Sequence, residues 1–69
     1  MTVKVRKIKA KIVELNTTTE AVARDVGIDR ATFYRKLQRE GKSFTIGEIH
    51  RLVKALRLTQ QEAVDIFLT

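Results

Sequence analysis

TEAVARDVGIDRATFYRKLQ, residues 19–38, carries the strongest structural signal in this chain of 69 residues. It holds two helical patterns separated only by Gly27, Ile28 and Asp29, and a connection this short forces the two helices to cross steeply. The side chain of the first helix nearest the crossing has to be small, and Ala23 stands there. Gly27 supplies the backbone freedom for the sharp turn, and the Asp29 carboxylate can cap the second helix. The segment predicts two abutting helices joined by a tight turn.

Capping signals mark the start of the first of these helices and of two later ones. In each case a Thr is followed three residues later by a Glu, so that the hydroxyl and the carboxylate can bond free N–H groups of the first turn. The three pairs are Thr17 with Glu20, Thr45 with Glu48, and Thr59 with Glu62. At the other ends, Gly27 and Gly41 stand where left-handed residues close helices.

The N-terminal segment combines helical apolar spacing from Ile8 to Leu15 with a strand-like alternation of Val3 and Val5 against basic residues. The helical pattern is the longer one and predicts a helix, with residues 1–5 as a flexible arm. The sequence as a whole predicts one compact, all-α domain over residues 1–69, with five helices at about residues 4–15, 19–26, 30–40, 46–57 and 60–67.

Apolar residues recur at three- and four-residue steps, so each predicted helix has one stripe to bury in a shared core. The predicted core is Ile8, Ile12, Leu15, Val22, Ala23, Val26, Ile28, Phe33, Leu37, Ile49, Leu52, Val53, Leu56, Leu58, Val64 and Phe67. Because Phe67 is expected to face inward, Ile66 or Leu68 is left for a seam between two copies of the chain. A homodimer is the corresponding prediction.

Positive charge is concentrated in the first two thirds of the chain. The net charge is +6: residues 1–45 hold eleven Lys and Arg against five acids, whereas residues 46–69 hold three of each. A polyanion is the natural partner, because binding it releases condensed counterions. The basic run at the N-terminus fits a phosphate backbone or plain solvation equally, and an anionic membrane less well. Its members are Lys4, Arg6, Lys7, Lys9 and Lys11.

Composition and motifs argue against an enzyme, a secreted protein and a membrane protein. Cysteine is absent and no apolar run can span a bilayer, so we expect a cytoplasmic protein with no disulfide and no membrane partner. His50, the one histidine, has no Cys or acid pair beside it and is expected to be structural or at the surface. Nucleophile motifs and Gly-rich nucleotide loops are also missing. We expect no catalysis, no cofactor, no metal and no small-molecule substrate.

The outer face of the second helix in residues 19–38 has the chemistry for reading a DNA major groove. Arg can bond two acceptors on guanine, Gln can bond adenine, and Tyr can pack on a thymine methyl or reach a phosphate. Thr18 and Thr19 at the start of the preceding helix can bind a phosphate, as can Lys42 and Ser43 beyond the far end. The face itself consists of Arg30, Thr32, Tyr34, Arg35, Gln38 and Arg39, with Lys36 beside them.

Residues 19–38 resemble the helix-turn-helix of the lambda-repressor and Cro-like (XRE-type) regulators, and GIDRATFYRKLQREG also resembles the recognition segment of Fis-type proteins. Two further helices after the motif are the repressor-like arrangement, and the tail DIFLT is similar to that of small phage-associated regulators. The resemblance implies a recognition helix from Asp29 to Glu40 and a phosphate contact from Thr19. It implies base contacts from Arg30, Tyr34, Arg35 and Gln38.

Lys36 departs from the family pattern, because it stands where those regulators have an apolar residue. Leu37 takes the buried role, so a slightly rotated helix is expected. Together the outer face and the resemblance predict phosphate contacts from Thr18, Thr19, Thr32, Lys36, Arg39, Lys42 and Ser43.

The predicted function is sequence-specific binding of double-stranded DNA by a transcriptional regulator, a repressor or Cro-like switch protein rather than an activator. A homodimer would present two recognition helices to half-sites about 34 Å apart or a multiple of that. The main alternative is a modulator that binds a partner repressor protein and contacts DNA weakly or only within that complex. Binding of RNA or of a membrane surface is a third hypothesis.

Overall fold

The computed structural model describes residues 3–40 and 43–68, and within them the chain forms five helices and no strand. The helices are α1 (Val5–Glu14), α2 (Thr19–Val26), α3 (Arg30–Gln38), α4 (Ile46–Ala55) and α5 (Gln60–Phe67). α2 packs against α3 and α4, and α1 packs against α2 and α5. The predicted all-α, five-helix fold is confirmed, and the alternation near the N-terminus gives no strand because Val5 already begins α1.

Left-handed residues, most of them not glycine, close the helices slightly earlier than predicted. The described residues with positive φ are Asn16 (55°), Gly27 (83°), Glu40 (58°) and Arg57 (52°). After α1 the Asn16 N–H donates to Val13 and the Thr17 N–H donates to Ile12, which satisfies the free carbonyls of the last turn. The predicted ends at residues 15, 40 and 57 are therefore one or two residues too late. Gly41, predicted to close α3, lies outside the described residues.

Thr17 is not the N-cap of α2, so this prediction was wrong. Its N–H takes part in the closure of α1, and Thr18 caps α2 instead by accepting from the Ala21 N–H at 3.1 Å. The two later capping boxes are confirmed. Thr45 and Thr59 each accept from the N–H of the Glu three residues on, and that Glu bonds back to the N–H of the Thr.

The buried core matches the predicted stripes with a few exceptions. Ten of the predicted residues are buried, and five more are partly buried against them, but Val64 is exposed. Val3, Phe44 and Ile66 are also buried, although none of them is in the predicted core. Ile66 cannot serve as a dimer seam, because α1 covers it and the Lys4 N–H donates to its carbonyl at 2.9 Å. The described part of the expected arm is thus held against α5.

Candidate nucleic-acid interface

α3 is fixed in rotation by the side chains on its inner face. Phe33 is fully buried and Leu37, one turn later, is 5 % exposed. The Phe33 ring meets the Phe44 ring edge to face, with their centroids 5.8 Å apart. Asp29 caps the helix as predicted by accepting from the Ala31 N–H at 3.0 Å. Anchoring at two positions four residues apart sets which side of α3 faces outward.

The outward side of α3 brings together all four residues predicted to contact bases. Its exposed members are Arg30, Ala31, Tyr34, Arg35, Gln38 and Arg39. Tyr34 is 45 % exposed, so its ring is available rather than packed on a neighbouring helix. The helix therefore presents cationic, amide and aromatic groups on one continuous surface.

The residues predicted to contact phosphate are more scattered. Thr18 and Ser43 are exposed, whereas Thr19 and Thr32 are half-buried. The Thr18 hydroxyl is already used as an acceptor by the α2 cap, which leaves its O–H free to donate. Lys42 lies outside the described residues.

Lys36 lies on the side of α3 that faces α4. Its Nζ donates to Glu48 at 2.6 Å and stands 5.8 Å from the centre of the Phe44 ring. The side chain is only 17 % exposed. Burial by itself raises the pKa of Glu48, but the hydrogen bonds from Lys36 and Thr45 outweigh it and leave that pKa below its ordinary value. Lys36 thus ties α3 to α4, which explains how a cation occupies a position that is apolar in the resembling regulators.

The cations on the outward side of α3 differ in their pairing. Arg30 lies 3.3 Å from the Glu20 carboxylate of α2, and both side chains are more than half exposed. Among the described residues, Arg35 and Arg39 have no carboxylate within 4.0 Å. An exposed pair such as Arg30 with Glu20 contributes little to stability. All three guanidinium groups are therefore accessible to an anion.

Two residues of this region were not singled out by the sequence. Ala31 is exposed on the outward side one turn before Arg35, and its methyl group could contact a thymine methyl. The helical spacing of Ala31 from Arg35 was the available signal. Arg51 donates to the Val26 carbonyl at 3.2 Å and braces the end of α2 beside Gly27. No local pattern indicates that contact, because it joins residues 25 positions apart.

The basic run of α1 is partly neutralised by α5. Lys4 and Lys7 both bond to Asp65, and Lys11 bonds to Glu62 at 2.9 Å. The Lys7 and Lys4 bonds hold the pKa of Asp65 below its ordinary value. The Thr59 N–H and Lys11 do the same for the pKa of Glu62. The carboxylates of α5 thus compensate three of the five cations for which the sequence suggested a phosphate or water.

His50 is exposed on α4. Within residues 3–40 and 43–68, no three His, Cys, Asp or Glu side chains are grouped as metal ligands. None of the five helices described is long and apolar enough to cross a membrane.

Comparison with known protein families gives one result that bears on this surface. The family model described as a Cro/C1-type HTH DNA-binding domain matches residues 7–66, which include all five helices except the first two residues of α1 and the last residue of α5. No curated protein and no solved structure matches the chain significantly.

Proposed function

The chain belongs to the Cro/C1-type helix-turn-helix DNA-binding family, and from this we propose that it is a transcriptional regulator that reads duplex DNA by inserting α3 into the major groove. We propose further that it acts as a repressor or Cro-like switch protein, by occupying its site, and that it needs no catalysis. The observation that supports the proposal best is the outward side of α3, where cationic and amide groups stand on a helix held from behind by Phe33 and Leu37.

The proposed base contacts are those of the outward side. Arg35 and Gln38 lie near its centre, Arg30 and Tyr34 lie at its edge, and Ala31 adds a methyl group. The proposed phosphate contacts are Thr18, Thr19, Thr32, Arg39, Lys42 and Ser43. Lys36 is left out of this set, because moving it to a phosphate would leave the Glu48 carboxylate, which is only 15 % exposed, without its cation.

Enrichment of binding sites from a random duplex library tests the proposal. The wild-type protein is expected to enrich one sequence, and Arg35→Ala is expected to bind that sequence with a loss of about 1–3 kcal/mol while relaxing the choice of one base. Arg39→Ala removes the same charge and is expected to lower the affinity for enriched and for random duplexes by the same amount. Equal effects of the two substitutions on both kinds of DNA would contradict the assignment of Arg35 to base reading.

The surface between α4 and α5 supports a homodimer. An open groove of about 410 Å³ there is lined mostly by apolar atoms and is bordered by Leu68, which is 66 % exposed. Residues 46–69 carry no net charge, so two chains of +6 meet there with less repulsion than at any basic face. Sedimentation equilibrium of the wild type and of Leu68→Ser is the test. A dimer weakened by the substitution is expected, and a monomer at all concentrations would contradict it.

The same groove is the observation that favours the alternative function, a modulator that binds a partner repressor protein. Gel-shift assays on enriched duplexes, with and without candidate repressors, separate the two. Binding by the chain alone supports the regulator, whereas binding that requires the second protein supports the modulator.

A further inference from the structure

An open groove of about 750 Å³ lies between the N-terminal part of α1 and the C-terminal end of α3. Gln38 of its α3 wall also belongs to the outward side of α3, so the groove continues the proposed DNA surface beyond the recognition helix. Among the residues that line it are Val3, Arg6, Lys9, Leu37, Gln38 and Glu40.

Ion pairs sort the cations of α1 onto two sides of the helix. Lys7 and Lys11 turn towards the acids of α5. Arg6 and Lys9 are exposed in the groove, and within the described part of the chain no carboxylate lies within 4.0 Å of either. The carboxylates of α5 therefore neutralise the positive charge on one side of α1. The side that faces the end of α3 keeps its positive charge.

The balance of charge inside the groove is positive. Four cations of the N-terminal segment line it, and Asp65 pairs with two of them, Lys4 and Lys7. Arg6 and Lys9 remain, against Glu40 as the single acid among the described lining residues. Placing positive charge in the first turns of a helix is unfavourable, because the amino end of the helix already carries partial positive charge. A bound anion would relieve this repulsion for Arg6, which lies in the first turn of α1, as Asp65 does for Lys7.

The length of α3 brings the protein groove at its C-terminal end close to a DNA backbone. Nine helical residues span about 13 Å, and the major groove of B-DNA is about 12 Å wide. A recognition helix of this length that lies in the major groove has a sugar–phosphate wall beside its far end. The outward side chains of α3, Gln38 included, then face bases, whereas side chains of α1 beside that end of α3 face phosphates.

We propose that Arg6 and Lys9 form a second contact with the sugar–phosphate backbone of the duplex that α3 reads. This contact rests on the proposed function and extends the DNA surface from the helix-turn-helix to α1. It adds affinity for any sequence and makes binding more sensitive to salt, because each phosphate contact releases counterions.

The test compares two doubly substituted proteins that lose the same charge. Arg6→Gln with Lys9→Gln removes the cations of the groove, whereas Arg24→Gln with Lys54→Gln removes one exposed Arg and one exposed Lys that do not line it. Dissociation constants on the enriched duplex and on a random duplex are measured by fluorescence anisotropy between 50 and 200 mM salt. Thermal unfolding by circular dichroism verifies that every variant is folded.

Loss of two phosphate contacts is expected to lower the slope of log K against log salt by about 1.8 on both duplexes. The affinity of the groove variant should then change about twelvefold less than that of the wild type across this fourfold range of salt. The control variant is expected to keep most of the wild-type slope. Glu40→Gln has the opposite expectation, tighter binding of both duplexes, because it removes the acid from the groove.

Three results would overturn the inference. Equal losses of slope in the groove variant and the control would show that only net charge matters. An unchanged slope in the groove variant, with normal binding by the wild type, would refute the α1 contact and leave the proposed function intact. Failure of the wild type to bind any duplex DNA would refute both.

Discussion

Lys36→Met removes the ion pair that ties α3 to α4 and keeps a side chain of similar length. The Lys36 and Glu48 side chains are 17 % and 15 % exposed and 2.6 Å apart. The exposure of this pair is intermediate between two known cases. Exposed ion pairs contribute about 0–1 kcal/mol, whereas loss of one partner of a buried pair costs about 3–5 kcal/mol. Since Glu48 keeps its bond from the Thr45 N–H at 2.9 Å, we expect a loss of about 1–3 kcal/mol in the free energy of unfolding.

Urea denaturation followed by circular dichroism measures this loss, and a domain of this size has only about 3–10 kcal/mol in total. Lys36→Met combined with Glu48→Gln should recover part of the loss, because no uncompensated charge then remains. The control is Glu20→Gln, which breaks the exposed pair with Arg30 and should cost less than about 0.5 kcal/mol. A Lys36→Met loss as small as that of the control, or additive losses in the double variant, would refute the reasoning.

Three further predictions concern the fold. Gly27→Ala should lower the free energy of unfolding by about 1–2 kcal/mol, because Gly27 has a φ of 83°, in the left-handed region that Ala adopts only at a cost. An added Cβ would stand 4.0 Å from its nearest neighbour, so a much larger loss in urea denaturation would point to a clash instead. Ala23→Leu should lower the free energy of unfolding by about 1–3 kcal/mol, because Ala23 is buried and a larger side chain would overpack its site. A neutral result in urea denaturation would mean that the helices are loosely packed there. Thermal stability should be nearly constant from pH 7 to 5. It should then fall as the pH drops below 4.5. The pKa values of Glu48, Glu62 and Asp65 are lowered in the fold, so these carboxylates stabilise it only while they are ionised. An unfolding temperature that rises on acidification would contradict this.

The helix-turn-helix was predictable because its determinants are local. Ala23, Gly27 and Asp29 each act within a few residues of their position in the chain, through a small side chain, a left-handed backbone and a cap. The same holds for the two capping boxes at Thr45 and Thr59. Periodicity also gave most of the core.

The features that sequence reasoning missed depend on contacts between distant residues. Ile66 is buried because the N-terminal segment bonds to it from more than 60 residues away. Phe44 is buried because Phe33 and Lys36 meet it across the turn after α3. The error at Thr17 is local, but it arose because two helices compete for the same N–H, and the closure of α1 takes precedence over the α2 cap.

Chemical-shift mapping of the isotopically labelled protein with a random DNA duplex tests the proposed DNA-reading role of α3 most directly. We expect the amide signals of Arg30, Ala31 and Arg35 to shift strongly, together with those of Thr18 and Thr19 at the start of α2. Signals of α5 should stay in place. Shifts confined to α4 and α5, with the signals of α3 unchanged, would contradict the account.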